Sequence, residues 1–195
     1  MKKVIALAIV LGFGASNALA DDLKSMLTKV EQLSAEGNYA KALEELNWAK
    51  KDIEQNYLKK LTSFLPDTIN GLQGGKPESN SAMGFTNVSR QYTEGANSVK
   101  IEIQGGSAGG AQAGLGGLAA LGQMAAMLGN GQNGQATMRI NGRTATLNEE
   151  NGELTIFLEG GSMLTLHKTS GNVDLKAVAE GIKIDDIEKY IKGTK

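Results

Sequence analysis

An α+β protein is what the sequence predicts: an antiparallel α-hairpin, then a six-stranded antiparallel sheet interrupted by a Gly/Ala-rich helix, then closing C-terminal helices. Three observations lead there. Apolar residues recur at helical spacing as far as Pro66, alternating runs separated by Gly and Asn turns fill 82–168, and helical spacing returns at the C-terminus.

The chain opens Met1-Lys2-Lys3, continues through the apolar run Val4 to Phe13, and reaches Ala18-Leu19-Ala20 just before Asp21-Asp22. A positive start, a short apolar stretch and an Ala-x-Ala site form a secretory signal peptide, cut after Ala20. The apolar run is about ten residues where a bilayer needs roughly 20, so no permanent membrane anchor is expected. The layout predicts an exported bacterial protein, periplasmic or secreted. Removing Lys2 and Lys3 from the 20 basic residues leaves 18 against 21 acidic ones, with both signs interspersed. That balance offers nucleic acid no attractive field. With no cysteine, disulfides, thiol nucleophiles and thiolate metal sites are excluded.

After the leader, residues 21–66 read as a helical hairpin. Leu23, Met26, Leu27, Val30 and Leu33 follow i, i+3, i+4, i+7 spacing, and Asp21 and Asp22 suit an N-cap and first turn. Gly37-Asn38 breaks the pattern. It restarts with Tyr39, Ala42, Leu43, Leu46, Ala49, Ile53, Tyr57, Leu61 and Phe64, and Pro66 stops it. Leu33, Gly37, Tyr39, Ala42, Leu46 and Ala49 resemble the middle of a single tetratricopeptide repeat, in which small residues let two helices approach closely. Stacked repeats need about three copies and no second copy is present, so the resemblance implies one hairpin and not a solenoid. Trp48 lies off the main stripe; exposed, it would mark an interface.

Residues 67–81 carry Gly71, Gly74-Gly75, Pro77 and small polar side chains, the chemistry of a linker. The sheet domain is expected over 82–195. Ala82 to Thr93 alternates loosely, and Ser98 to Gln104 cleanly, with Val99, Ile101 and Ile103 opposite Lys100, Glu102 and Gln104. Ala136 to Ile140 and Arg143 to Asn148 flank Asn141-Gly142, the strongest short hairpin signal. Glu153 to Leu158 and Met163 to Lys168 complete six strands. Two helical segments follow, Val173 to Glu180 and one starting near Asp185, and these are expected to cover a sheet face. The run Ile140-Asn141-Gly142-Arg143-Thr144-Ala145, then Leu154-Thr155-Ile156-Phe157-Leu158, then the terminal helical pair, resembles small exported bacterial α+β proteins of uncharacterised function. That resemblance brings no catalytic residue with it.

Gln104 to Met138 interrupts the sheet with no charge, aromatic ring or proline. Within it Leu115, Leu118, Leu121, Met124, Met127 and Leu128 suit one helical face. Glycines cost such a helix about 1 kcal/mol each relative to alanine, so it requires a packing partner: the sheet, a second protein or a membrane. Gly105-Gly106-Ser107-Ala108-Gly109 satisfies the G-x-S-x-G elbow of serine hydrolases. Its base would be His167, the single histidine, and its acid one of Glu149, Glu150, Glu153 or Glu159. Hydrolase sheets are mostly parallel, however, and these strands read as hairpins. Gly129-Asn130-Gly131-Gln132-Asn133-Gly134 fits the dinucleotide fingerprint in the reverse context, after a helix candidate and before a strand, and Gly114-Leu115-Gly116-Gly117-Leu118-Ala119 fits a looser form without the acidic residue about twenty positions on. His167, out of phase with Leu164 and Leu166, is expected on the opposite face. Asp185, Asp186 and Glu188 read as helix-end charges and not as a cation loop.

The sequence therefore predicts a non-enzymatic binding or assembly protein of the cell envelope, with no cofactor and no metal. Trp48, Leu115, Leu118, Leu121, Met124 and Met127 are the contact candidates, for a protein partner or for self-association. Carriage of an apolar ligand or lipid under the 111–128 helix is the alternative, and a serine hydrolase using Ser107 the minor one.

Overall fold

The computed structural model describes residues 15–82, 85–106, 135–159 and 161–194. Its contacts divide the chain into Met1–Gln55 and Asn56–Lys195; the boundary falls inside a helix.

The first unit is a helical hairpin, α1 (Ala15–Ala35) and most of α2 (Tyr39–Thr62). Gly37 ends α1 at φ 74°, the left-handed conformation that a helix C-terminus favours and glycine adopts without strain. The Asn38 N–H then donates to the Leu33 carbonyl at 2.8 Å. Asp21 and Asp22 do not cap α1 as expected, because Ala18, Leu19 and Ala20 are good helix formers and the helix continues back to Ala15.

The second unit is a sheet with helices on one face. Its strands are β1 (Thr68–Ile69), β2 (Leu72–Gly74), β3 (Glu78–Ala82), β4 (Phe85–Glu94), β5 (Asn97–Gly106), β6 (Gln135–Ile140), β7 (Arg143–Asn148), β8 (Glu153–Phe157) and β9 (Met163–Ser170), followed by α3 (Leu175–Glu180) and α4 (Ile184–Lys192). All nine strands form one antiparallel sheet in the order β1-β2-β4-β5-β9-β8-β7-β6, with β3 also on β4. The six expected strands are β4 to β9. The remaining three lie in 67–81 and its border, where a linker was expected. The Asn70-Gly71 turn, at φ 47° and 84°, joins β1 to β2 with the chemistry that Asn141-Gly142 uses, at 48° and 80°, to join β6 to β7. Nor is the sheet a simple meander: the last strand, β9, is inserted between β5 and β8.

Register places one side chain set inward. Tyr92 pairs with Val99, Val88 with Ile103, Ile101 with Leu166, Ile103 with Leu164, Leu166 with Leu154 and Leu164 with Ile156, and every one of these residues is buried. Each such aliphatic burial contributes about 1.5–3 kcal/mol. Leu175, Val178 and Ala179 of α3, Ile182, and Ile184 and Ile187 of α4 join the same core, as do Leu58, Leu61 and Leu65. The Tyr57 and Tyr190 rings stack at 5.3 Å between centroids.

Two charged anchors hold the ends of this core. Arg90, on the inward face of β4, donates from Nε to Gly75 O at 2.8 Å, from Nη1 to Leu65 O at 2.9 Å, and from Nη2 to Asp67 Oδ1 at 2.7 Å and Gly74 O at 3.3 Å. Beside it the Tyr92 hydroxyl donates to Pro66 O at 2.8 Å. Burial pushes the Tyr92 phenol up to about 12, Arg90 partly opposing it. At the other end Arg143 Nη2 lies 2.6 Å from Glu188 Oε2 and 2.5 Å from Asp185 Oδ1, and Glu188 Oε1 accepts the Glu159 N–H at 3.0 Å. Burial works against the charged Glu188 carboxylate, but its bonds from Arg143 and the Glu159 amide prevail and hold its carboxyl below the ordinary value.

Two predictions follow from these anchors. Arg90→Ala should lower the unfolding free energy by about 3–5 kcal/mol, the scale of breaking a buried charged network, whereas Asp67→Ala, whose side chain is 92% exposed, should cost under about 1 kcal/mol. Urea titrations of the two variants distinguish a role carried by the backbone carbonyls from one carried by the ion pair. For Glu188, depression of the folded-state pKa means that its contribution is complete above the ordinary 4.5 and is lost as pH falls below it. Glu188→Gln should be less stable than wild type at neutral pH and should lose less on acidification, measured by denaturant midpoints across that range.

Candidate interaction surfaces

The hairpin divides the expected apolar stripe of α2 in two. Ala42 and Ala49 are buried, Ala49 at 1% exposure, and Lys29 of α1 pairs with Glu45 on that same side. Small side chains seven residues apart thus form the flank on which α1 lies. Tyr39, Leu43, Leu46 and Ile53 turn away from it and stay exposed, Tyr39 at 66% and Leu43 at 61%. Leu27 of α1 is exposed as well. Lys50 continues the row and lies 3.6 Å from Glu54. Trp48 is also outside the packing, at 55% exposure, with the Lys51 ammonium 5.2 Å from its ring centroid. Nine residues from Tyr39 is two and a half turns, so Trp48 faces the opposite side of α2 from Tyr39.

The outward face of the sheet is polar and largely self-paired. Register aligns Ser89, Glu102, Thr165, Thr155 and Thr146 in one row across β4, β5, β9, β8 and β7. Beside it runs a row of Gln91, Lys100, His167, Glu153 and Asn148. Glu102 lies 2.5 Å from Lys100 Nζ and accepts from Gln104 Nε2 at 3.0 Å. Burial raises the Glu102 carboxyl, but Lys100, the Gln104 amide and the charge of His167 together bring it below the ordinary value. It stays an ionised acceptor with no proton to give at neutral pH. Asn87 Oδ1 and Thr146 Oγ1, both on this face, have no hydrogen-bond partner among the described residues.

His167 lies on that face as expected, opposite Leu164 and Leu166, with Nδ1 3.3 Å from Glu153 Oε2. One acid expected for a hydrolase does therefore meet the histidine. The nucleophile cannot reach it. His167 is paired with Lys100, and Gly106 ends β5 six residues on, about 20 Å away at 3.3–3.4 Å per residue. Ser107 itself lies outside the described residues, but it is joined to Gly106 by one peptide unit spanning about 3.8 Å, too short for any placement to carry its hydroxyl to His167. A Ser107–His167 dyad is thereby excluded. Leu115, Leu118, Leu121, Met124 and Met127, and both dinucleotide-like glycine runs, likewise lie outside the described residues. Among those described, no three His, Cys, Asp or Glu side chains gather as a metal site, and no helix is long and apolar enough to cross a membrane.

The chain matches no protein-family model, no curated protein and no solved structure.

Of the contact candidates named from sequence, Trp48 alone lies among the described residues, and it is placed outward. The open row Tyr39, Leu43, Leu46, Lys50, Ile53 was hidden within a single apolar stripe. The signal that separates it is residue size: alanines fill the α1 side, and large residues fill the open one. Because Trp48 is the single tryptophan, its fluorescence reports its own side of α2, opposite the open row. Emission in the red, water-exposed range with ready acrylamide quenching is expected; blue-shifted, unquenched emission would place a partner or another part of the chain over it.

Proposed function

We propose that this is an exported binding or assembly protein of the bacterial cell envelope, in which the sheet unit serves as a stable base and the helical hairpin is the contact surface. One observation carries the reading: the hairpin leaves Leu27, Tyr39, Leu43, Leu46, Trp48 and Ile53 exposed, while the sheet unit buries its apolar face thoroughly. Large apolar side chains concentrated on one small element are characteristic of interaction sites, since scattered exposure is ordinary and clustering is not. Tyr and Trp are also among the residues that most often dominate binding energy at interfaces. The signal-peptide reading of residues 1–20 supports the compartment, and the absence of a basic field supports a protein rather than a nucleic-acid partner.

The test is site-specific photocrosslinking in the native envelope, with the probe at Leu43, at Trp48 and, as a control, at Thr169 on the sheet. Adducts at one of the hairpin positions and none at Thr169 are expected, and Leu46→Glu should abolish those formed with the probe at position 43. Absence of adducts at both hairpin positions, or equal adducts at Thr169, would remove the hairpin as the contact surface.

A further inference from the structure

We propose that the open row of α2 is covered by the α2 of a second copy of this chain, running antiparallel. The proposal rests on the reading of the hairpin as the contact surface and names its occupant.

Spacing is the first argument. Tyr39, Leu43, Leu46, Lys50 and Ile53 succeed one another by four, three, four and three residues, the alternation of a coiled-coil seam. α1 does not fill this seam, because α1 lies on the Ala42, Glu45 and Ala49 flank. A helix that carries heptad spacing and lacks a partner on that face among the described residues is matched in shape by another helix with the same spacing.

Charge chooses the orientation. Lys50 is the single charged residue in the seam, and a parallel, in-register pair would set the two Lys50 ammonium groups against each other. Antiparallel pairing instead sets Leu43 against the partner's Leu46 and Lys50 against the partner's Tyr39. There the lysine stem covers the ring, the ammonium faces the π system, and Glu54, 3.6 Å away in the same helix, balances it. A lone lysine at a seam position also restricts register and oligomer state at some cost in affinity.

Area sets the strength. Tyr39, Leu43, Leu46, Lys50 and Leu27 each keep roughly half or more of their surface. Two copies together then offer on the order of 1,000 Å², the lower bound of a specific interface. The expected dimer is reversible, and its population rises with concentration.

Sedimentation of the chain purified from the exported fraction tests this. Its weight-average mass should climb from monomer toward dimer with concentration. Leu43→Glu combined with Leu46→Glu should weaken association at least tenfold, Lys50→Leu should strengthen it, and Trp48→Ala, on the opposite side of α2, should leave it unchanged. Since the chain lacks cysteine, Tyr39→Cys mixed with Lys50→Cys should form a disulfide-linked heterodimer, while Tyr39→Cys alone should not link to itself. A monomer at all concentrations, a dimer indifferent to both seam variants, or self-linking of Tyr39→Cys overturns the proposal. A chain that is monomeric yet still captured through Leu43 by a different envelope protein overturns self-pairing and leaves the contact-surface reading standing; no dimer and no capture sinks both.

Discussion

Arg90 is the constraint on which the sheet unit depends. Its guanidinium has five N–H donors, and four hydrogen bonds fix the carbonyls of Leu65, Gly74 and Gly75 and the carboxylate of Asp67. Those acceptors are the exit of α2 and the short strand β2. Gly74 lies so near Arg90 that a Cβ there would collide with the guanidinium, which accounts for glycine at the end of β2. A planar, permanently charged group suits this role better than lysine, because several carbonyls arranged around one plane match its donor geometry. Burying that charge is costly, and the backbone carbonyls of Leu65, Gly74 and Gly75 offset most of that cost.

How much was legible in the sequence depended on how local each signal was. Strands β4 to β9 were read because alternation persists over five or more residues in each, and His167 was assigned to the correct face because a strand has period two. Asn141-Gly142 was recognised, but the same dipeptide at 70–71 was not, since the runs beside it are two and three residues long and too short to show alternation. Arg90 gave no warning at all. Its partners are backbone carbonyls, and no side-chain pattern records those. The burial of Glu102 at 8% exposure was equally invisible, because period two says which face a residue occupies and nothing about how deeply its neighbours enclose it.

The two units solve the problem of apolar surface differently. In the sheet unit a large aliphatic face, Val88, Ile101, Leu164, Leu166, Leu154 and Ile156 among others, is sealed by helices and closed at one end by the Arg143, Asp185 and Glu188 cluster. In the hairpin, by contrast, alanines fill the one packed flank of α2, and the larger residues remain outside. Alanine on that flank leaves little area to bury, so the hairpin holds together with few contacts of its own. An element of this kind gains more from an external partner than a sealed domain does.

The position of β9 has a consequence for how the molecule comes to exist. β4 with β5, and β6 through β8, form from neighbouring segments, but the two groups are joined through β9, the last strand to be made. Until β9 arrives, β5 and β8 each expose an unpaired edge, the kind of backbone surface that pairs indiscriminately with other chains. Contacts so distant in sequence also form slowly, since loop closure precedes any reward. A chain truncated before Met163 would therefore carry two unpaired edges rather than be a smaller protein, and the final thirty or so residues act as the lock that closes both.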